Sequence, residues 1–192
     1  MKAIKNWDNV QAVGGFETLP AGGYVCEIKA AKEKPNRSGS GTHLEVMFDV
    51  DEGEYKGFFA KDYKSQTRED KFWSGTIRQN VPDEASPKFE QQAGFFKRFI
   101  ANIEESNPGY HWGWDESTLA GKKIGVIFGE REKQSKNGRV YTVTYAENIT
   151  TVEAVKLNDY TVPPVRRLPE AAPAVPAWVA DAEAAEESDL PF

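Results

Sequence analysis

The chain has little sulfur and little imidazole: one cysteine, two methionines and two histidines in 192 residues. A lone Cys26 excludes an internal disulfide framework, and one cysteine with two histidines cannot supply a Cys/His zinc site of ordinary spacing. No metal and no cofactor is expected. Cys26 reads as core packing, and His43 and His111, with no acid or cysteine at ligand spacing, read as ordinary polar side chains. Apolar runs are short as well: none reaches the roughly eighteen residues of a membrane span, and the first residues hold no stretch of signal-peptide character. A cytoplasmic protein with no membrane partner is expected.

Basic residues are missing from one end. From Glu170 onward there are six acids and no Lys or Arg, and the stretch closes with Asp189-Leu190-Pro191-Phe192. The other residues carry 24 cations and 24 acids, so the formal charge of -6 belongs to this segment. Pro163, Pro164, Pro169, Pro173 and Pro176 stand in an Ala/Pro/Glu-rich stretch with few large apolar groups to offset the entropy of ordering. The expected organisation is one folded domain over residues 1–162, of a size that buries about 70% of its unfolded surface. A disordered acidic C-terminal tail would follow over 163–192.

Within the domain, residues 24–31 alternate Tyr24, Cys26, Ile28 and Ala30 against polar neighbours, the pattern of a half-buried strand. A Gly/Ser-rich loop at 32–41 leads to a second alternation, with Leu44, Val46, Phe48 and Val50 on one face. Asp51-Glu52-Gly53-Glu54 reads as a tight turn into a third strand over 55–63, and 72–78 is a candidate extended segment. Ser86-Pro87, followed by Phe89, Ala93, Phe96, Ile100 and Ile103 at helical spacing, predicts a helix that Asn107-Pro108-Gly109 stops. Residues 122–132 and 139–146 then read as two strands joined at Lys136-Asn137-Gly138, where Asn-Gly suits a type I′ turn.

Three strands, one helix and a final hairpin make an all-β domain with one helix, in the element order of a five-stranded OB-like barrel. Another small β-barrel, or an α+β sandwich with an extra strand at 72–78, fits the same string. An OB groove is centred on strands 2 and 3 and flanked by the loops joining strands 1 to 2 and 4 to 5. The first loop region carries Lys29, Lys32, Lys34 and Arg37, and the second carries Arg131, Lys133, Lys136 and Arg139. Between them Lys61, Tyr63, Lys64, Arg68, Lys71, Phe72, Trp73 and Arg78 interleave cations with rings. Cations displace phosphate counterions and flat rings stack on unpaired bases, at about 1–3 kcal/mol per base. Tyr141, nearest the basic hairpin, is the preferred base contact of the last strand. Trp73 reads equally as core cover, Lys97 and Arg98 as a solvated helix face, and Tyr110, Trp112 and Trp114 as a lid or a stacking platform.

The final Asp189, Leu190, Pro191 and Phe192 offer a ring and an α-carboxylate that a partner can grip together, with the preceding acids steering encounter. Trp178 has no role in this reading. Two other functions fit parts of the sequence: a recombination adaptor with weak DNA contact, and a metal-dependent nuclease. The second rests on Glu54-Tyr55-Lys56 and Glu69-Asp70-Lys71, acid-x-Lys tripeptides that an acid-rich turn explains more simply. No enzymatic activity is expected.

The terminal Asp189-Leu190-Pro191-Phe192 after Glu186-Glu187 resembles the C-terminal tip of bacterial and phage single-stranded DNA-binding proteins, although Ser188 interrupts its acids. The body, over roughly 14–165, is similar to a family of small phage and prophage proteins of Gram-positive bacteria. Gly15-Phe16-Glu17, Leu19-Pro20-Ala21-Gly22-Gly23-Tyr24, Glu105-Ser106-Asn107-Pro108-Gly109-Tyr110 and Gly121-Lys122-Lys123-Ile124-Gly125 carry that likeness. It implies an OB-fold protein in the host cytoplasm that coats single-stranded DNA during phage replication or recombination. It also implies recruitment of replication and repair enzymes through the terminal Phe, and oligomerisation is common among such proteins.

Overall fold

Alternating apolar residues produce one antiparallel sheet. In the computed structural model, which describes residues 18–169, its strands are β1 (Gly22–Pro35), β2 (Thr42–Val50), β3 (Thr76–Asn80), β4 (Lys123–Gln134) and β5 (Val140–Thr150). Helix α1 (Phe58–Ser65) joins β2 to β3, α2 (Phe89–Ser106) joins β3 to β4, and α3 (Val152–Leu157) follows β5. The strand order across the sheet is β3-β2-β1-β4-β5. Among the described residues no ladder joins the two edges, β3 and β5, so the sheet is open where a closed barrel was expected.

Strand β1 serves both halves of the sheet. Its first half pairs with β4, from Gly22↔Phe128 to Glu27↔Lys123, and its second half pairs with β2 as far as Pro35↔Thr42. A register shift between Ile28 and Ala30 leaves Lys29 as an extra residue. A bulge of this kind bends its strand and increases the local twist. It also shifts the alternation by one: Cys26 and Ile28 are buried, Ala30 is exposed, and Ala31 packs on the core instead.

Leu44, Val46, Phe48 and Val50 fill the inner face of β2, as their spacing predicts. They pack with Ile124, Val126 and Phe128 of β4 and with Phe96, Phe99, Ile100 and Ile103 of α2. Full burial of each such side chain is worth about 1.5–3 kcal/mol. Cys26 is part of this core, and desolvation pushes its thiol well above the ordinary range. The predicted helix is α2, but its N-cap position is Lys88, not Ser86. Ser86 acts one turn earlier, where its hydroxyl accepts the Lys88 N–H at 3.2 Å.

The third strand expected over 55–63 is absent. Glu54 to Gly57 form a turn, and Phe58 begins α1. Gly57 takes φ 72, in the left-handed region where a side chain is disfavoured, and has no side chain to cap the helix. Asp49 of β2 caps it from a distance. Its buried carboxylate accepts the N–H groups of Phe59 at 2.9 Å and Ala60 at 3.2 Å, besides that of Val50 at 2.9 Å. Donors left open at a helix start thus find an acceptor on a neighbouring strand. The third strand, Thr76–Asn80, overlaps the end of the segment 72–78 read as a candidate extension and runs two residues beyond it, pairing from Met47↔Thr76 to His43↔Asn80.

The β4–β5 turn also differs from expectation. Gly138 has φ 79, while Trp114 and Asn158 are the described non-glycine residues with positive φ, so Asn137 does not take the left-handed conformation a type I′ turn requires. The Gly138 N–H donates to the Ser135 carbonyl at 3.0 Å, the pattern of a type I turn closed by a glycine bulge. Within the segment read as a tail, Arg166 runs beside β4, exchanging backbone bonds with Glu130 and Glu132 at 2.9 and 2.8 Å. No described helix is long and apolar enough to cross a membrane.

Replacing Asp49 by alanine strips the α1 amides of a charged, buried acceptor. We expect Asp49→Ala to lower the unfolding free energy by about 2–4 kcal/mol, read from urea denaturation. A change below about 0.5 kcal/mol would show that the cap contributes nothing.

Candidate nucleic-acid interface

The seam between the two sheet edges is a groove of about 1100 Å³. β2 and β3 line one side with Glu45, Met47, Thr76 and Arg78, and β4 and β5 line the other with Arg131, Lys133, Thr142, Thr144 and Tyr145. Phe58 and Asp62 of α1, with Phe72, Trp73 and Ser74 of the connection to β3, complete the wall. The bend in β1 and the separate pairing of its halves bring these two sides to face each other.

Four cations line the groove, Lys34, Arg78, Arg131 and Lys133, against three carboxylates, Glu45, Asp62 and Glu147. Their pairing is uneven. Glu45 holds Lys34 at 2.5 Å and Arg78 at 2.9 Å. The Lys34 hydrogen bond, followed by that of Arg78, keeps the Glu45 carboxyl below its ordinary pKa although burial opposes this. Glu147 is paired to Arg166, and Asp62 accepts the Ser74 hydroxyl at 2.8 Å. Among the described residues Arg131 and Lys133 make no ion pair. The Arg131 guanidinium instead lies over the Tyr145 ring, 4.4 Å from its centre.

Phe72 is half exposed, and Gln66 fixes its backbone by accepting its N–H at 3.0 Å and donating to its carbonyl at 2.9 Å. The Arg68 guanidinium sits 4.0 Å from the Phe72 ring centre, joining a cation to a flat surface. Trp73 is tied inward. Its indole N–H donates to the carbonyls of Phe48 at 3.0 Å and Gly75 at 3.1 Å, so its first role is to anchor the connection.

Of the residues singled out in the sequence, Lys34, Phe72, Trp73, Arg78, Arg131 and Lys133 come together in the groove. Lys32 and Arg37 lie on the β1–β2 arm, Lys61, Tyr63 and Lys64 on α1, and Arg68 and Lys71 on the connection after it. Lys136, Arg139 and Tyr141 are exposed near the tip of the β4–β5 hairpin. None of these ten lines the groove. Asp189, Leu190, Pro191 and Phe192 lie outside the described residues, as does Trp178. Lys97 and Arg98 are exposed on α2.

The sequence reading missed Glu45, Met47 and Thr144. The alternation of β2 carried the signal for the first two, since they stand opposite Leu44, Val46 and Phe48. His43 is buried with its Nδ1 2.8 Å from Asn36 Oδ1, and His111 is exposed beside Glu104. Among the described residues no group of three or more His, Cys, Asp or Glu side chains is placed to hold a metal ion. No protein-family model matches the chain, and no curated protein matches it.

Glu45 controls two of the four groove cations. Because its folded-state pKa is depressed, the stability it supplies is present above the ordinary carboxyl pKa and is lost as pH falls through the lowered value. Protonation also frees Lys34 and Arg78. For a nucleic-acid strand seated in the groove, Glu45→Gln should therefore tighten binding at neutral pH and steepen its salt dependence by about 0.7 to 1.4 in log–log slope, for one or two cations released. An unchanged slope in a salt-titrated binding assay would contradict this assignment.

Proposed function

We propose that the protein binds single-stranded DNA, without sequence preference, along the groove at the open seam. The observation that carries this reading is the juxtaposition of Arg131 and Lys133, unpaired among the described residues, with the exposed Phe72 ring and with Tyr145. Phosphates need the cations and unpaired bases need the rings. The open five-stranded antiparallel sheet, in the order β3-β2-β1-β4-β5 with α2 between β3 and β4, is compatible with an OB-like barrel left open between β3 and β5. On that reading the groove occupies the strand 2–3 surface that OB folds use, between the β1–β2 and β4–β5 arms. The resemblance of the sequence to phage single-stranded DNA-binding proteins supports a role in phage replication or recombination. The acidic segment from Glu170 to Phe192 is then the part that recruits replication and recombination proteins.

A fluorescence titration with oligo-dT at two salt concentrations tests this. Tryptophan quenching and tight binding at low salt, weakening steeply as salt rises, are expected. The double variant Arg131→Ala/Lys133→Ala should bind more weakly and lose about 1.4 from the log–log salt slope. Deleting residues 190–192 should leave DNA affinity intact, because the three residues carry no charged side chain and the terminal carboxylate passes to Asp189. Absence of any binding by the folded parent at low salt would remove the proposal.

A further inference from the structure

The loop after α2 carries three large rings and treats them differently. Tyr110 and Trp112 pack on the core, with the Lys122 ammonium 4.5 Å from the Tyr110 ring centre. Trp114 is 78% exposed. It is nevertheless held in place: its ring stacks on Phe96 of α2, with centres 6.3 Å apart and planes 11° from parallel, and Trp112 flanks it at 6.3 Å. The loop beneath is pinned to α2 through Glu104, whose carboxylate accepts the Trp112 backbone N–H at 2.7 Å. On the other side Asp115 accepts both the N–H and the hydroxyl of Ser117, at 3.0 and 2.7 Å.

Trp114 has φ 62, a left-handed conformation that bulky residues rarely adopt and that tends to occur where a site requires it. Lys97 follows Phe96 and precedes Glu104 by seven residues, so it shares the flank of α2 on which this loop lies. Among the described residues neither Lys97 nor Arg98 makes an ion pair, and both are exposed. Beside the indole, Gly113 has no heavy atom within 4 Å of where a Cβ would stand, which leaves room for close approach. A flat, exposed ring backed by a second ring, on a loop packed against the helix that carries the unpaired Lys97 and Arg98, suits a nucleobase with its phosphate.

We propose that Trp114, backed by Phe96 on the helix that carries Lys97 and Arg98, is a second base-stacking contact outside the groove, made by the same single-stranded DNA once it is long enough to reach it. This rests on the groove reading above. The test uses the full chain with oligo-dT of two lengths, about 6 nucleotides and about 30, the latter well beyond the span of one OB-type groove. Trp114→Gly removes the ring and suits the left-handed backbone, and Trp114→Phe keeps a ring.

We expect Trp114→Gly to weaken binding of the long oligonucleotide about five-fold or more while leaving the short one unchanged. Trp114→Phe should hold the long one within about two-fold of the parent. Parent-like binding of the long oligonucleotide by Trp114→Gly overturns the contact and leaves the groove standing, as shown by retained binding of the short one. Equal loss at both lengths also overturns it, because the ring would then act within the groove or on the fold. If the parent binds neither length, the groove reading fails and this inference fails with it.

Discussion

One bent strand carries the architecture. β1 pairs with β4 over Gly22 to Glu27 and with β2 from Cys26 to Pro35, and the extra residue Lys29 bends the strand just past the overlap. A bulge adds bend and twist to its strand, and Arg78 and Arg131, from the two sides of the sheet, line one groove. The bend also decides which residues reach the core, because it moves the inward position from Ala30 to Ala31. Lys123 clamps the region where β1 is paired on both sides, bonding Glu27 at 3.2 Å and Asp51. Hydrogen bonds from Lys123 depress the Asp51 carboxyl, and those from Lys29 and then Lys123 depress that of Glu27, so on the carboxylate side this clamp holds until the solution is well into acid.

The charge of the groove is set by pairing rather than by composition. Lys34 and Arg78 stand on the same wall, yet one buried carboxylate, Glu45, occupies both. Arg131 and Lys133, on the opposite wall, make no ion pair among the described residues. The groove therefore presents one available cationic side and one held in reserve, a distribution suited to moderate, salt-sensitive attraction for a polyanion. Ring placement follows a similar division. Trp73 is committed to the backbone carbonyls of Phe48 and Gly75, whereas Phe72, its neighbour in sequence, is exposed.

Much of the sheet was legible because alternation is a local property: Leu44 to Val50 and the Phe96 to Ile103 spacing fixed a strand and a helix that the structure bears out. The misread segment 55–63 was not legible locally. Phe58 and Phe59 fit a strand as well as a helix, and the deciding group, Asp49, lies ten residues upstream of Phe59 on another element. The groove was half legible for a related reason. Lys34, Arg78, Arg131 and Lys133 stand out as cations near rings, but which of them are neutralised depends on the register that sets Glu45 opposite Arg78, and pairing register is not written in any one segment. Lys136, Arg139 and Tyr141 sit further along the same hairpin as Arg131, and nothing short of the strand lengths reveals that they fall beyond the groove.

The central claim is that bare DNA lies in the seam between β3 and β5. Photo-cross-linking of an oligo-dT carrying 5-iododeoxyuridine, with the attached peptides mapped by mass spectrometry, addresses this most directly. The account predicts adducts on Phe72 and Tyr145, the rings beside the groove cations. Efficient cross-linking that spares both residues would contradict it.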